Sequence, residues 1–164
     1  MATAFVSIGS NKGNKISNCR RAIAEISRLQ ECSVKRCSSF YETEPYGVDD
    51  KRDWFVNTVI EIETSKKPDA LLTELLNIEK RFGRIREPNK YTPRTLDLDL
   101  LLYDNEIINS DFLTLPHPRM HMRKFVLEPL NEISPNSIHP ILNRNVKTLL
   151  GELKDDQKIR KFET

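Results

Sequence analysis

Apolar residues in the first 41 positions follow the periods of a strand, a helix and a second strand. Residues 3–8 are rich in Phe, Val and Ile and precede turn-forming residues at 9–14, so they predict a β-strand. Apolar residues at helical spacing from position 16 to position 29, with arginines opposite, predict an amphipathic helix over 15–30. Residues 33–41 predict a second strand, polar enough to lie at a sheet edge.

The middle of the chain repeats this order. Alternation over residues 55–62 predicts a half-buried strand, with Val56 and Ile60 on one face and Asn57 on the other. Pro68 begins a strongly periodic helix that ends before Gly83. Residues 96–103 then predict an almost wholly apolar strand, which two aspartates interrupt.

These blocks predict an α+β fold of the ferredoxin-like kind, in which helices cover an antiparallel sheet. Residues 107–153 add a short strand at 107–108, a segment rich in Pro and His, and helices near 124–132 and 145–153. A chain of 164 residues can bury one continuous core without disulfides or structural metals. We therefore expect a single three-layer domain over residues 1–164.

The charge balance argues against a dedicated nucleic-acid binder. The chain carries 26 Lys and Arg residues against 24 Asp and Glu residues, so its net charge is only +2.

No apolar window approaches the ~20 residues of a membrane span, and the first residues lack the pattern of a signal peptide. Cys19, Cys32 and Cys37 lack zinc-ligand spacing and predict reduced, buried or half-buried thiols, as suits a cytoplasmic protein.

Two aspartates share one face of the strand at 96–103. Alternation points Asp97 and Asp99 away from the core, which Leu98 and its neighbours face. Carboxylates at this spacing lie ~6–7 Å apart at their Cα atoms and can share two divalent cations. Oxygen ligands favour Mg²⁺ over zinc. The alternative is a solvent-facing polar strand edge whose carboxylates nearby arginines neutralise.

Basic residues flank this strand along the chain. Arg84, Arg86 and Arg94 lie in the segment leading into it, and guanidinium groups suit phosphate oxygens. Carboxylates that hold metal ions, with arginines nearby, are the groups that phosphoryl-type transfer needs. The glycine-containing run at 9–13 lacks the GxxxxGK[ST] pattern of a P-loop, so a nucleotide would be held in another way.

Two further segments offer binding groups. Residues 114–125 concentrate His and Arg between prolines and offer donors to phosphates; alternatively, His117 caps or packs and the arginines are solvated. Aromatic residues also gather along the chain near Asn57, where they predict a slot for a flat heterocycle. These are Tyr41, Tyr46, Trp54 and Phe55. Ordinary core packing is the alternative for most of them.

Short motifs in a characteristic order carry a resemblance to a known family. The most specific is Pro-Arg-Thr-Leu-Asp-Leu-Asp-Leu at 93–100. The others are Phe-Val-Ser-Ile-Gly-Ser-Asn at 5–11, Ser-Phe-Tyr-Glu-Thr-Glu-Pro at 39–45, Phe-Val-Asn at 55–57, Pro-His-Pro-Arg-Met at 116–120 and Phe-Val-Leu-Glu-Pro-Leu at 125–130. In these motifs the chain resembles the 6-hydroxymethyl-7,8-dihydropterin pyrophosphokinases nearly end to end.

The resemblance implies a monomeric Mg²⁺-dependent enzyme of folate biosynthesis with a ferredoxin-like fold. Such an enzyme transfers the diphosphate of ATP to the hydroxymethyl oxygen of 6-hydroxymethyl-7,8-dihydropterin and releases AMP. By position, Asp97 and Asp99 would bind two Mg²⁺ ions that bridge the ATP phosphates and help to activate the substrate hydroxyl. Arg84 and Arg94 would steady the transferring diphosphate.

The resemblance also implies which residues bind the two substrates. For ATP, they are Glu79, Arg86, Leu100, Thr114, His117 and Arg123. For the pterin, they are Thr43, Tyr46, Phe55, Asn57 and Phe125, with the two phenylalanines stacking on the ring and Asn57 at its edge. The expected partners are thus two small molecules, with no nucleic acid and no membrane.

Two other functions remain open. A metal-dependent nuclease or nucleotidyltransferase would use the same aspartate pair and arginines but would need no pterin slot. An RNA-binding module would display aromatic residues on a ferredoxin-like sheet. Against it, the chain shows no RNP-type aromatic strand, and the carboxylates would repel phosphate without metals. Tight binding of a pterin separates these alternatives.

Overall fold

The structure, a computed structural model, describes residues 1–44, 54–83 and 96–162. Four helices and ten strands follow one another within these ranges. They are β1 (Ala2–Ser10), α1 (Lys15–Ser27), β2 (Cys32–Cys37), β3 (Tyr41–Thr43), β4 (Phe55–Thr64), α2 (Pro68–Arg81), β5 (Asp97–Tyr103), β6 (Ile108–Asn109), β7 (Thr114–Leu115), α3 (Lys124–Ile133), β8 (Ile138–His139), β9 (Arg144–Asn145), α4 (Val146–Glu152) and β10 (Ile159–Lys161). A short 3-10 helix, Met120–Met122, precedes α3.

Six of these strands form one antiparallel sheet: five follow the order β10, β3, β4, β1, β5, and the sixth, β2, also pairs with β4. β2 and β3 pair with successive halves of β4, so together they occupy one position beside it. The two strand–helix–strand blocks therefore interleave, with β1 and β4 in the centre. This arrangement confirms the predicted ferredoxin-like antiparallel sheet. The pairs β6–β7 and β8–β9 are separate short hairpins.

Helices cover both faces of the sheet and give three layers. One core lies between the sheet and helices α1 and α2, and it contains Ile8, Ile60 and Leu98. The other lies under α3 and α4 and contains Phe5 and Val59. The prediction that β4 is half-buried is therefore wrong, because α3 covers the face of Asn57 and Val59 that the alternation pattern leaves open.

Two strand predictions need correction. β1 continues through Gly9 and Ser10, predicted as a turn, because these residues pair with Asn57 and Val56 on β4. The single strand predicted over 33–41 is interrupted between β2 and β3. The interruption occurs at Ser38, whose side-chain Oγ accepts the N–H of Val59 at 2.9 Å.

The four predicted helices are present with small shifts at their ends. Helix α1 begins after Asn14, whose Oδ1 accepts the N–H of Ser17, and it ends at Ser27 rather than at 30. All three cysteines are unpaired, as predicted, but Cys37 is exposed, because it lies at the solvent-facing end of β2. Among the described helices, none combines the length and apolar character needed to cross a membrane.

Candidate active site

Three neighbouring strands bring polar residues to one end of the sheet, on the face that α3 covers. Gly9 of β1 pairs with Asn57 on one side and with Asp97 on the other. One step further along the strands, Ser7 pairs with Asp99. Since neighbouring strands lie ~4.8 Å apart, the row from Asn57 to Asp97 spans ~10 Å between Cα atoms. The amide and the carboxylates thus face one shared surface.

The aspartates lie as the alternation predicts. Asp97 and Asp99 are half-buried on the α3 side, and the Asp99 side chain is 30% exposed to solvent. Their leucine neighbours, Leu96, Leu98 and Leu100, are 0–3% exposed in the core on the opposite side. The leucines therefore fix the strand, and the carboxylates remain accessible to a ligand.

Two basic side chains approach Asp99 from the segment before α3. Arg123 Nη1 lies 3.8 Å from Asp99 Oδ2, and His117 Nε2 lies 4.0 Å from Asp99 Oδ1. His117 is fixed on β5, because its backbone N–H donates to the Leu101 carbonyl at 2.9 Å. Its Nδ1 accepts the backbone N–H of Arg119 at 3.1 Å, so a neutral ring carries its proton on Nε2, on the side of Asp99.

The orientation of the Asn57 amide is fixed at the other end of the row. Asn57 Nδ2 donates to Thr43 Oγ1 at 2.6 Å, and both residues are at most 3% exposed. Asn57 Oδ1 therefore points back over β1, where a Cβ added to Gly9 would lie 2.8 Å from it. The same Cβ would lie 3.8 Å from Phe55 Cδ1, so Phe55 and Asn57 share one strand face, as predicted.

Gly9 is a site residue that the sequence prediction missed. Its side-chain position is filled by the Asn57 carbonyl oxygen, so any larger residue would displace that oxygen. The available signal was a glycine directly after an apolar strand, which fits both a turn and a close approach within a sheet.

The predicted aromatic slot is only partly assembled in the described residues. Phe125, the second residue of α3, packs against the core under α3 and α4, so it lies on the same face of the sheet as Phe55. The Arg123 guanidinium lies 5.5 Å from the centroid of the Phe125 ring. Tyr41 pairs with Asn57, but its hydroxyl donates to Glu132 at 2.6 Å. Burial and this bond raise the Tyr41 pKa. The bond itself ties β3 to α3.

The chain matches the 7,8-dihydro-6-hydroxymethylpterin-pyrophosphokinase (HPPK) family over residues 5–135. It belongs to this family. Relatives named 2-amino-4-hydroxy-6-hydroxymethyldihydropteridine pyrophosphokinase include one from Haemophilus influenzae, 42% identical over 99% of both chains. Another, from Aquifex aeolicus, is 36% identical over 99% of this chain and 96% of its own length.

Other relatives carry the HPPK domain within longer chains. The folic acid synthesis protein fol1 of Pneumocystis carinii is 38% identical over 92% of this chain, which corresponds to 20% of that protein. Among solved structures, Plasmodium falciparum HPPK-DHPS with pteroate has a TM-score of 0.74 at 15% identity. The match covers 92% of this chain but only 42% of that one, and at this identity it supports the fold alone.

Several predicted HPPK site residues lie outside the described residues. These are Tyr46 on the pterin side and Arg84, Arg86 and Arg94 on the phosphate side. Their roles stay predictions. Within the described ranges, no three His, Cys, Asp or Glu side chains group as a metal site. The candidate donor set on the α3 side of β5 is the pair of half-buried carboxylates, Asp97 and Asp99, whose hard oxygens fit Mg²⁺.

Three residues predicted to bind ATP take different positions around β5. Thr114 is exposed on β7, three residues before His117. Leu100 is 3% exposed, and its side chain faces the core under α1 and α2, so only its backbone remains for a nucleotide contact. Glu79, near the end of α2, is 2% exposed, and its Oε2 accepts the N–H of Leu98 at 2.8 Å. Glu79 thus braces the strand between Asp97 and Asp99.

Substitutions of Glu79 test the contribution of its hydrogen bond to Leu98. Glu79→Leu leaves the Leu98 amide without its acceptor, so we expect a loss of ~2 kcal/mol in the free energy of unfolding and a higher KM for ATP. Glu79→Gln keeps an acceptor at nearly the same size, so both losses should be smaller. Urea unfolding and steady-state kinetics measure them. Equal damage in the two variants would show that the Leu98 bond is not what Glu79 contributes.

The titration of His117 tests the burial and the charge environment of this side chain. Burial, followed by the positive charges of Arg123 and Arg119, lowers the pKa of His117 to about 4, and Asp97 opposes this shift. The folded protein therefore favours the neutral ring. Because the unfolded chain binds the proton more readily, this group should reduce stability as the pH falls from about 6.5 towards 4, with no effect above that window.

NMR of the metal-free protein can measure this pKa directly. A His117→Gln variant assigns the His117 ring signal among the three histidines. We expect that signal to keep its neutral shift down to pH 5 and to titrate with a midpoint of about 4. A midpoint near 6.5 would contradict the burial and charge environment described above.

Proposed function

We propose that this chain transfers the terminal diphosphate of ATP to the hydroxymethyl oxygen of 6-hydroxymethyl-7,8-dihydropterin, giving AMP and the pterin diphosphate for folate biosynthesis. One observation carries the proposal within the HPPK family. The row Asn57–Gly9–Asp97 sets a fixed amide and an aromatic residue beside a pair of accessible carboxylates on one sheet face. A pterin ring held at the Asn57 end would present its hydroxymethyl group to ATP phosphates held at the Asp97 end.

The pterin would lie over Gly9 between Phe55 and Phe125. Gly9 leaves room for the Asn57 carbonyl oxygen at its side-chain position, and the two aromatic rings offer stacking faces. Thr43 already accepts from Asn57 Nδ2, which leaves Asn57 Oδ1 to accept from an N–H at the ring edge. Thr43 and Tyr46 would add contacts through their backbone groups.

Asp97 and Asp99 would hold two Mg²⁺ ions. When bound, Mg²⁺ neutralises phosphate charge and makes the attacking hydroxyl more acidic. Two carboxylates leave coordination positions for phosphate oxygens and water, as is usual for Mg²⁺ in phosphoryl-transfer sites. The carboxylates would align these cations with the pterin end of the row, because buried leucines anchor the other face of their strand.

Positive side chains would bind the rest of the triphosphate. Arg123 and His117 already face Asp99, and they can donate to phosphate oxygens at the same place. A neutral His117 would act as a directed Nε2–H donor, whereas Arg123 brings charge. We propose Arg84, Arg86 and Arg94 as further phosphate contacts, and Glu79, Leu100 and Thr114 as residues near the adenosine, from the motif match alone.

We also propose that the protein acts as a single domain over residues 1–164, as a monomer in the cytoplasm. Its three unpaired cysteines are compatible with a reducing compartment. Sedimentation of the purified protein over a range of concentrations tests the monomer, because a dimer would appear as a faster-moving species.

Release of AMP tests the proposed reaction. The protein is incubated with ATP and Mg²⁺, with and without 6-hydroxymethyl-7,8-dihydropterin, and nucleotides are separated by chromatography. AMP should form only when the pterin is present, and EDTA should abolish its formation. ADP in place of AMP, or AMP formed equally without the pterin, would reject the proposal. Cleavage of DNA or RNA under these conditions would favour the metal-dependent nuclease instead.

A further inference from the structure

The C-terminal segment, residues 155–161, lies beside Thr43, one of the residues proposed to bind the pterin, although no sequence motif indicated it. Its strand β10 pairs with β3, so that Ile159 lies opposite Thr43. Beyond the pairing, the N–H of Glu44 donates to the Lys158 carbonyl at 3.1 Å. The segment thus extends the sheet next to the residue that orients Asn57.

Gln157 links this segment to both sides of the proposed pterin slot. It is 4% exposed, and its Nε2 donates to the Glu44 carbonyl at 2.5 Å, directly after Thr43. Its own backbone carbonyl accepts Lys124 Nζ at 3.3 Å, directly before Phe125. One buried residue therefore fixes the chain after Thr43 relative to the start of α3.

The other end of the Gln157 amide adds no second hydrogen bond within the described residues. Gln157 Oε1 is buried and has no hydrogen-bond partner among the described residues. Among the described residues the side chain of Gln157 therefore makes its one direct bond through Nε2. Its Nε2 contact with Glu44 is the bond that this placement preserves.

We propose that Gln157 is a positioning residue of the pterin site. Its side chain holds Glu44 and its backbone carbonyl holds Lys124. It thereby sets the separation of Thr43, which pairs with Phe55, from Phe125, and hence the width of the slot that receives the ring. The inference rests on the proposed pterin function and adds a residue from the C-terminal segment to it. Gln157 acts through its neighbours and need not touch the reacting atoms.

Gln157→Met provides the sharpest test, because it removes the Nε2 donor and the unpartnered Oε1 at similar volume. We expect the dissociation constant for 6-hydroxymethyl-7,8-dihydropterin, measured by fluorescence with Mg²⁺ and a nonhydrolysable ATP analogue, to rise about tenfold. The affinity for the ATP analogue alone should be unchanged. The midpoint of thermal unfolding should stay within about 3 °C of wild type, because the net contribution of one hydrogen bond is only about 1 kcal/mol.

Arg160→Met is the matched control. Arg160 lies on β10 in the same C-terminal segment, but its side chain is exposed and pairs with Glu42 at 2.8 Å. This variant should bind the pterin as the wild type does. Gln157→Glu is the second variant, since it keeps the size but places an oxygen against the Glu44 carbonyl, and it should weaken pterin binding at least as much as Gln157→Met.

The outcomes separate this inference from the proposed function. If wild-type protein binds no pterin, the proposed function fails. If the wild type binds the pterin and both Gln157 variants bind it equally well, the positioning role is overturned. A purely structural role would instead lower the thermal midpoint and weaken the ATP analogue and the pterin alike, and that result also overturns the inference.

Discussion

Replacing Asp97 by alanine is expected to lower kcat for AMP formation by at least about 10³-fold. The reason is local, because Asp97 and Asp99 are the two carboxylates on the accessible face of β5. Removing one would leave a single carboxylate to hold cations against the triphosphate. Asp99→Ala should be equally damaging. Quenched-flow or steady-state assays at saturating ATP and pterin measure the loss.

Asp69→Asn is the matched control for these two variants. Asp69 is exposed in the first turn of α2, where its charge only favours the helix N-terminus, by up to ~1 kcal/mol. Its removal should leave kcat unchanged. An Asp97→Ala protein that folds normally and retains more than about a tenth of the wild-type kcat would contradict the assignment of the aspartate pair, because a metal ligand contributes far more than that.

Replacing Gly9 by alanine should have the second-largest effect, and it should act on the pterin. The new Cβ would lie 2.8 Å from Asn57 Oδ1, so the amide must move away from its bond to Thr43. Displacements near 1 Å cost about 10²-fold in efficiency, so we expect KM for the pterin to rise about 100-fold with KM for ATP changed little. The added atom should also cost ~1–3 kcal/mol of stability by overpacking.

Gly151→Ala tests whether such an effect belongs to the site. Gly151 lies in α4, and nothing approaches within 4 Å of the position of an added Cβ. Alanine there should leave both KM values unchanged and stabilise the helix by up to ~1 kcal/mol. If Gly9→Ala bound the pterin as tightly as Gly151→Ala does, the orientation of Asn57 would not depend on Gly9.

The parts of the fold predicted best are those with a strong hydrophobic period. Helix α2 begins at Pro68 as its sequence indicates, and the alternation of β5 correctly assigned Asp97 and Asp99 to the face opposite the leucines. Both depend on local geometry alone. The hydrophobic period within one strand or helix indicates which side chains share a face, and it does not depend on what covers that face.

The errors arose where distant segments decide the outcome. Gly9 lies in a strand because β4 pairs with it, and β4 is buried on both faces because α3, more than sixty residues later, covers it. Ser38 interrupts an apparently continuous strand by accepting a backbone N–H from β4. Motif resemblance supplied most of the proposed site residues, and their roles stay predictions, whereas Gly9 and Gln157 emerged only from contacts between segments that lie apart in sequence.

The fate of the β-phosphorus of ATP tests the central claim most directly. ATP labelled at the β-phosphorus is incubated with Mg²⁺, the protein and 6-hydroxymethyl-7,8-dihydropterin, and the products are separated. Transfer of an intact diphosphate predicts that the label appears in the pterin product, with unlabelled AMP released in equal amount. Label recovered in ADP would mean transfer of the γ-phosphate alone, and label in free phosphate or pyrophosphate would mean hydrolysis. Either result would contradict the assignment of this chain as a pyrophosphokinase.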